Sequence, residues 1–161
     1  MKEFLNKMHY GLFRLLLDIY EKCNPKNNNW QSSKRQQNFD NSIFYDYVIS
    51  KTHHIFGYIY SGYFSFFSFI LLGIKDVFFD IDNKIVTLLL MGLPILVGYI
   101  PAYKAVLSND VYLNYYKKFE KKDARWQRKC KWMAVAFCIG GFLTMILGLF
   151  AYSFIVEYMK S

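Results

Sequence analysis

The sequence predicts an all-α integral membrane protein with three transmembrane helices, an N-terminal amphipathic helix and a long cytoplasmic helix that continues into the third span. Residues 55–74, 85–103 and 132–156 contain no charged side chain, and each run is long enough to cross about 30 Å of hydrocarbon as a helix. Basic residues concentrate in two of the flanking segments. Because only a helix satisfies its own backbone in lipid, we expect a single membrane domain over residues 1–161.

The distribution of charge predicts the orientation. Of the 20 Lys and Arg residues, eight precede residue 55 and nine lie between residues 104 and 131. Two spans separate these segments, so both lie on one side of the membrane, which the positive-inside rule identifies as the cytoplasm. We therefore expect a bacterial inner (cytoplasmic) membrane protein with a periplasmic C-terminus. The net charge of +8 indicates attraction to anionic lipid headgroups, and no nucleic-acid partner is expected.

Residues 1–23 predict an amphipathic helix. Leu5, Met8 and Leu12 recur at helical spacing. Six charged side chains fall within an arc of about 100°: Glu3, Lys7, Arg14, Asp18, Glu21 and Lys22. Two arrangements are open: the helix lies flat at the headgroup boundary, or it folds back against the cytoplasmic ends of the spans. Residues 24–42 are polar and rich in Asn and Gln, which predicts a mobile linker.

Spans one and two are predicted to be antiparallel neighbours. Tyrosines and serines dilute span one, residues 55–74, although its second half is strongly apolar. A short loop leads to span two, residues 85–103. Pro94 and Pro101 each remove a backbone donor there and predict two kinks.

Residues 110–131 predict a basic cytoplasmic helix. Asn109 or Asp110 can cap it, and no Gly or Pro follows until span three, residues 132–156. We expect one continuous helix from the cytoplasm into this span. Its aromatic and basic side chains are the predicted contact with lipid or a partner: Tyr112, Tyr115, Lys117, Lys118, Phe119, Lys121 and Lys122.

Span three carries four small residues, each four positions apart: Ala136, Gly140, Thr144 and Gly148. Such a ladder lets another helix approach closely. It serves either packing within the three-helix unit or an interface between copies, and the sequence leaves both interpretations open.

The chain contains no catalytic, metal-binding or cofactor signature, so we expect no cofactor and no enzymatic activity. His53 and His54, with Asp46, come nearest to a metal or acid–base site. Adjacent helical residues point about 100° apart, so we interpret these histidines as membrane-interface residues. The acidic residues of the outer loop predict a solvated turn rather than a calcium loop: Asp76, Asp80 and Asp82. The three cysteines lack metal-ligand spacing and predict no disulfide: Cys23, Cys130 and Cys138.

The layout supports a resemblance. A HYGLFRLLLDIYEK stretch precedes two closely linked spans, and YKKFEKKDARWQRKCKW then leads directly into the last span. This layout resembles the uncharacterised small three-span inner-membrane proteins of AT-rich bacterial genomes. That group has no established activity, so the resemblance implies no functional residues.

Two functional hypotheses follow. The leading one is a non-enzymatic inner-membrane protein that acts by protein–protein contact, as an accessory subunit or immunity-type partner of a membrane complex. Its partners would be another membrane protein or a second copy, together with anionic headgroups. The alternative is a homo-oligomeric membrane pore or effector, which the small-residue ladder motivates. The three predicted spans contain no ionisable group between their ends, which argues against an ion-coupled carrier.

Overall fold

A computed structural model describes residues 1–23, 43–79 and 83–159 of the chain. No β-strand occurs among these residues, and the predicted all-α fold class is confirmed. The predicted linker, residues 24–42, lies outside the described residues. The described residues form five α-helices, in chain order α1 (Lys2–Cys23), α2 (Ile43–Phe78), α3 (Lys84–Ala102), α4 (Val111–Glu120) and α5 (Ala124–Met159).

Among the described residues, three stretches are long and apolar enough to cross a membrane, and their apolar parts lie in α2, α3 and α5. α2 and α5 contain 36 residues each, or about 54 Å of helix, which exceeds the hydrocarbon thickness of about 30 Å. The predicted spans over 55–74 and 132–156 leave most of that excess before residues 55 and 132. Both helices therefore extend beyond a membrane at the end where the basic residues concentrate.

The three span-forming helices, α2, α3 and α5, form a layer with α2 in the middle. On one side of α2 the Phe64 ring covers Gly98 of α3, and on the other the Ile59 carbonyl approaches Gly141 of α5. α3 and α5 each pack on α2 and scarcely on each other. The layer thus has an open order, α3–α2–α5, rather than the closed triangle of a three-helix bundle.

The small-residue ladder of α5 packs inside the chain. A Cβ at Gly140 would collide with the Tyr63 hydroxyl of α2, and a Cβ at Gly148 would come within 3.0 Å of the α2 backbone. The Thr144 hydroxyl donates to the Gly140 carbonyl of its own helix at 2.6 Å, and Ala136 is exposed. The two glycines therefore set the close approach of α5 to α2. Within the described chain, Gly140 and Gly148 thus pack against α2.

α1 folds back against the spans, which is the second of the two predicted arrangements. It packs on α5, α2, α4 and the connection that precedes α4. Gly11 permits the approach to α5, because a Cβ there would collide with the Cys130 carbonyl. We call α1, α4, residues 45–56 of α2 and residues 124–137 of α5 the juxtamembrane bundle. The buried face of α1 supplies much of its core: Leu5, Met8, Leu12, Phe13 and Leu17.

The connection between α3 and α4 is irregular. Tyr103–Leu107 form a π-helical turn, and Ser108–Asp110 form a 3-10 turn. Asn109 and Asp110 have φ angles of 54° and 52°, in the left-handed region that Asn and Asp tolerate better than most residues. This reversal turns the chain so that α4 lies against α1 instead of prolonging span two.

The predicted continuous helix over residues 110–131 is wrong, because two helices occupy this stretch. α4 ends at Glu120 and α5 begins at Ala124. The Gln127 side-chain amide donates to the Glu120 and Lys122 carbonyls at 3.3 and 3.1 Å, and so satisfies groups that the break leaves without helical partners. The break lets α4 bury its aromatic side against α1. Residues 124–131 do continue into the third span as predicted.

Candidate functional site

α4 has two sides of opposite chemistry. Tyr112, Tyr116 and Phe119 are spaced so that they share one side of the helix, and they are 7%, 0% and 1% exposed. They pack on α1, with the Tyr112 ring 5.6 Å from that of His9 and the Phe119 ring 5.5 Å from that of Tyr10. The opposite side is basic and exposed. Aromatic packing therefore fixes α4 to the bundle and leaves its charges outside.

This packing corrects part of the predicted contact surface. The sequence assigns Tyr112, Tyr115 and Phe119 to lipid or a partner, but Tyr112 and Phe119 are buried within the chain. Tyr115 is half-buried, and its ring lies 5.6 Å from that of Phe119. An aromatic stripe at helical spacing is equally what an internal core requires, so the sequence alone does not separate the two cases.

The basic side of α4 and the turn that follows it form a surface that we call the lysine face. Four lysines and one asparagine surround a shallow hollow that is open to the outside: Asn114, Lys117, Lys118, Lys121 and Lys122. All five residues are exposed. Within the described parts of the chain, none of these lysines forms an ion pair. Four positive charges therefore converge on one open hollow.

Three acidic side chains of the bundle are already engaged with other basic groups: Glu3 with Lys7, Asp18 with Lys131, and Glu120 with Arg14. The Lys7 ammonium lowers the pKa of the Glu3 carboxyl, and Lys118 and Lys122 add to this effect. The field of the lysine face thus extends to the first turn of α1. These pairings leave the lysines available to an external anion.

A buried pair of histidines lies beneath α4. His9 Nε2 and His53 Nδ1 are 2.8 Å apart, and the Tyr116 hydroxyl lies 2.9 Å from His9 Nδ1. The two imidazole rings stack with centroids 4.9 Å apart, and Phe56 packs edge-on against His9 at 5.3 Å. His9 and Tyr116 are both fully buried. The pair joins α1, α2 and α4 at one point.

The hydrogen bonds of this pair are satisfied when both rings are neutral. One proton lies between the two nitrogens, either on His9 Nε2 or on His53 Nδ1. The Tyr116 hydroxyl then donates to His9 Nδ1, or accepts from it while donating to the His9 carbonyl, which lies 3.4 Å away. Burial lowers the pKa of His9 well below its ordinary value, and the neighbouring His53 lowers it further. The native pair is therefore held neutral.

The sequence drew attention to His53 but interpreted it as a membrane-interface residue, and it assigned no role to His9. His53 is half-buried against α1, whereas the neighbouring His54 and the nearby Asp46 are exposed, so the three do not form a joint site. Among the described residues, no three His, Cys, Asp or Glu side chains are placed to hold a metal ion. The available signal for His9 was its position directly after Met8, on the apolar side of α1.

A second polar cluster joins α2, α3 and α5 at the ends farthest from the juxtamembrane bundle. The Lys75 ammonium lies 2.8 Å from an Asp76 carboxylate oxygen and 3.3 Å from the Thr87 hydroxyl of α3. The Tyr152 hydroxyl of α5 donates to the other Asp76 oxygen at 2.9 Å. Asp76 therefore belongs to a helix-joining cluster, and its prediction as part of a solvated acidic turn is wrong. Asp80 and Asp82 lie outside the described residues.

The fold and the site define a helical membrane protein with a packed juxtamembrane bundle and an exposed lysine face. No family model matches the chain, and no curated protein or solved structure matches it. The chemistry of the site therefore rests on its own geometry. The lysine face is open and can bind an anionic group, whereas the histidine pair is closed and can exchange only a proton.

Proposed function

We propose that the protein is a non-enzymatic membrane protein that acts by contact, and that the lysine face is its contact surface. The observation that carries this proposal is the convergence of Lys117, Lys118, Lys121 and Lys122 on one exposed hollow. Side chains on a packed helix lose less freedom on binding than those on a mobile segment. A basic surface of this kind selects an acidic partner and speeds its association.

The proposed partner is another membrane protein with an acidic juxtamembrane surface, to which this chain would be an accessory or immunity-type subunit. The Lys122 carbonyl accepts from Gln127, which precedes Trp132, the predicted start of span three, by five residues. This end of the lysine face therefore stands roughly 7.5 Å outside the span. Anionic headgroups reach it from the membrane side, while the outward side is open to an acidic protein surface.

We also propose a bacterial inner membrane as the location, with the juxtamembrane bundle in the cytoplasm. The bias of Lys and Arg toward this end supports that orientation. A cytoplasmic lysine face would meet the acidic juxtamembrane segments of neighbouring inner-membrane proteins.

The enclosed polar core supports a role in contact rather than catalysis. A general acid or base must come within hydrogen-bond reach of a substrate, but His9 and Tyr116 are 0% exposed and bond to each other. Asn6 is equally buried, and its amide donates to the Ala105 carbonyl at 2.9 Å. These side chains tie α1 to α4 and to the π-helical turn.

Charge reversal of the lysine face tests the proposal. Replacing Lys117, Lys118, Lys121 and Lys122 with Glu should reduce the co-purifying acidic protein, or the tightly retained anionic lipid, by at least about tenfold, since several charge-assisted contacts become repulsive. Tagged protein extracted from its own membranes would be analysed for both by mass spectrometry.

A matched control carries the same change of charge at exposed basic residues outside the lysine face: Lys51, Lys104, Arg128 and Lys129. Correct insertion of both variants would be checked by labelling Cys23 from each side of the membrane. The proposal requires the control to keep the partner. Equal binding by wild type and by the lysine-face variant, or an equal loss in both variants, would contradict it.

A further inference from the structure

The histidine pair occupies the point where three elements of the juxtamembrane bundle meet. His9 belongs to α1, His53 to α2 and Tyr116 to α4, and their polar atoms are joined by contacts of 2.8 and 2.9 Å. The His53 ring also packs edge-on against Tyr112, with centroids 4.7 Å apart. A change in the contacts of the pair therefore alters the packing of α1 and of α4 together.

The same region contains the irregular connection of the fold. Asn6 lies one turn before His9 on α1, and its amide holds the Ala105 carbonyl within the π-helical turn. The two left-handed residues, Asn109 and Asp110, follow directly. Backbone in such conformations persists only while surrounding contacts hold it. Docking of α1 is one of those contacts.

A second proton on His9 would place a positive charge on a side chain that water does not reach. His9 is 0% exposed, and burying an unpaired charge is costly. Asp110, which acts on His53, is the carboxylate that could partly compensate such a charge. Every element that packs on the pair contributes charged or titratable groups around it. They are Tyr10 and Arg14 of α1, Asp46 and His54 of α2, Asp110 of the connection, Tyr112, Tyr116 and Glu120 of α4, and Cys130 of α5.

We propose that the His9–His53 pair is a proton-responsive latch, which keeps α1 and α4 docked while both rings are neutral and releases them when the surrounding pH falls. Release would uncover the aromatic side of α4 and the part of α5 that lies beneath Gly11. This latch does not depend on what the lysine face binds, since it concerns only contacts within the chain.

The direction of the pH dependence follows from the burial of His9. Its pKa is lowered in the docked state by burial, whereas a solvent-exposed histidine has a pKa of about 6.5. The undocked state therefore binds more protons below this pH, and the docked state is favoured above it. The equilibrium between docked and undocked α1 should shift toward undocking by up to about tenfold for each pH unit below 6.5, until the lowered pKa of His9 is reached.

A native cysteine of the chain can report whether α1 is released from α5. Cys130 is 2% exposed, and its backbone lies directly under Gly11 of α1. Cys23 is exposed at the end of α1 and serves as an internal reference. A water-soluble dithiopyridine reagent, which reacts with thiols at acidic pH, would modify Cys130 when α1 leaves. The rate at each cysteine would be read by peptide mass spectrometry on the full-length protein in nanodiscs.

Three variants distinguish the latch from a general destabilisation of the protein at acidic pH. His9→Asn and His53→Asn keep a polar side chain at each position but cannot carry the proton. His54→Asn changes the exposed neighbour, which makes none of the contacts of the pair, and is the matched control. Comparing variants at one pH cancels the intrinsic pH dependence of thiol chemistry.

Wild type and His54→Asn should show Cys130 modification that rises several-fold between pH 7.5 and 5.5 relative to Cys23. His9→Asn should lose most of that rise. His53→Asn leaves the buried His9 able to titrate and should lose only the part that the second imidazole contributes, which keeps the test decisive if the first variant does not fold. An equal rise in all four proteins would overturn the latch, and so would an absence of any rise in wild type.

Discussion

At the scale of single residues, the docking of α1 depends on Gly11, which has no side chain. A Cβ at Gly11 would lie 2.8 Å from the Ala134 Cβ and closer still to the Cys130 carbonyl. Main-chain atoms within the regular part of α5 cannot yield as the tip of a long side chain can. Gly11 therefore fixes the distance between α1 and α5.

Replacing Gly11 with Ala should destabilise the docked state by about 1–3 kcal/mol, the usual cost of overpacking, and should raise the accessibility of Cys130 even at neutral pH. Gly92→Ala is the matched control, because no atom lies within 4 Å of a Cβ built there. That control should be neutral or stabilising by about 0.5–1 kcal/mol. Thermal unfolding in detergent, together with thiol labelling, would measure both. A Gly11→Ala variant as stable and as protected as wild type would contradict the packing described for α1.

The sequence does not predict which residues distant along the chain contact each other. The sequence places His9 on a helix and His53 at a membrane boundary, but nothing in it indicates that side chains 44 positions apart share a proton. That relation arises only when α1 folds back. Tyr112 and Phe119 were assigned to a partner for the same reason, since the surface that buries them belongs to a distant part of the chain.

At the scale of elements, the connection between α3 and α4 decides where the lysine face points. A π-helical turn and two left-handed residues reverse the chain before Val111. Two further turns of ordinary helix would have carried α4 straight on from span two. The sequence shows the boundary, because Asn109 and Asp110 are natural cap residues, but local propensity does not specify the reversal.

Substitutions at Asn109 test this connection. Asn109→Val should destabilise the fold, because a β-branched residue at a φ of 54° carries a steric cost of about 1–2 kcal/mol or more. Asn109→Gly should be neutral or stabilising, since glycine adopts this conformation freely. Thermal unfolding of the two variants would rank them with wild type between. The reverse order, with Val the more stable, would show that the chain does not turn here as described.

At the scale of the whole molecule, hydropathy and charge predict the fold class and the spans, whereas packing determines the order of the helices and where they break. The three spans and the all-α class follow from apolar runs whose length matches a bilayer, a constraint that holds whatever the helices touch. The order α3–α2–α5 and the break before Ala124 depend on which faces meet. The ladder predicted a close helix neighbour, and the structure identifies it as α2.

This arrangement also bears on the alternative of a pore. The ladder glycines that motivated an interface between copies, Gly140 and Gly148, are occupied by packing against α2. The outward sides of the described spans carry large apolar side chains suited to lipid, among them Leu88, Leu96, Phe142, Leu147 and Phe154. A pore would need another polar surface to line it. Contact through the lysine face is therefore the account that the geometry supports best.

Native mass spectrometry of the protein gently extracted from its own membranes tests that account most directly, because one experiment reports both stoichiometry and bound partners. We predict a defined complex of this chain with a second, acidic membrane protein, which dissociates when Lys117, Lys118, Lys121 and Lys122 are replaced with Glu. A closed ring of identical subunits, or a lone monomer in both wild type and variant, would contradict the proposal.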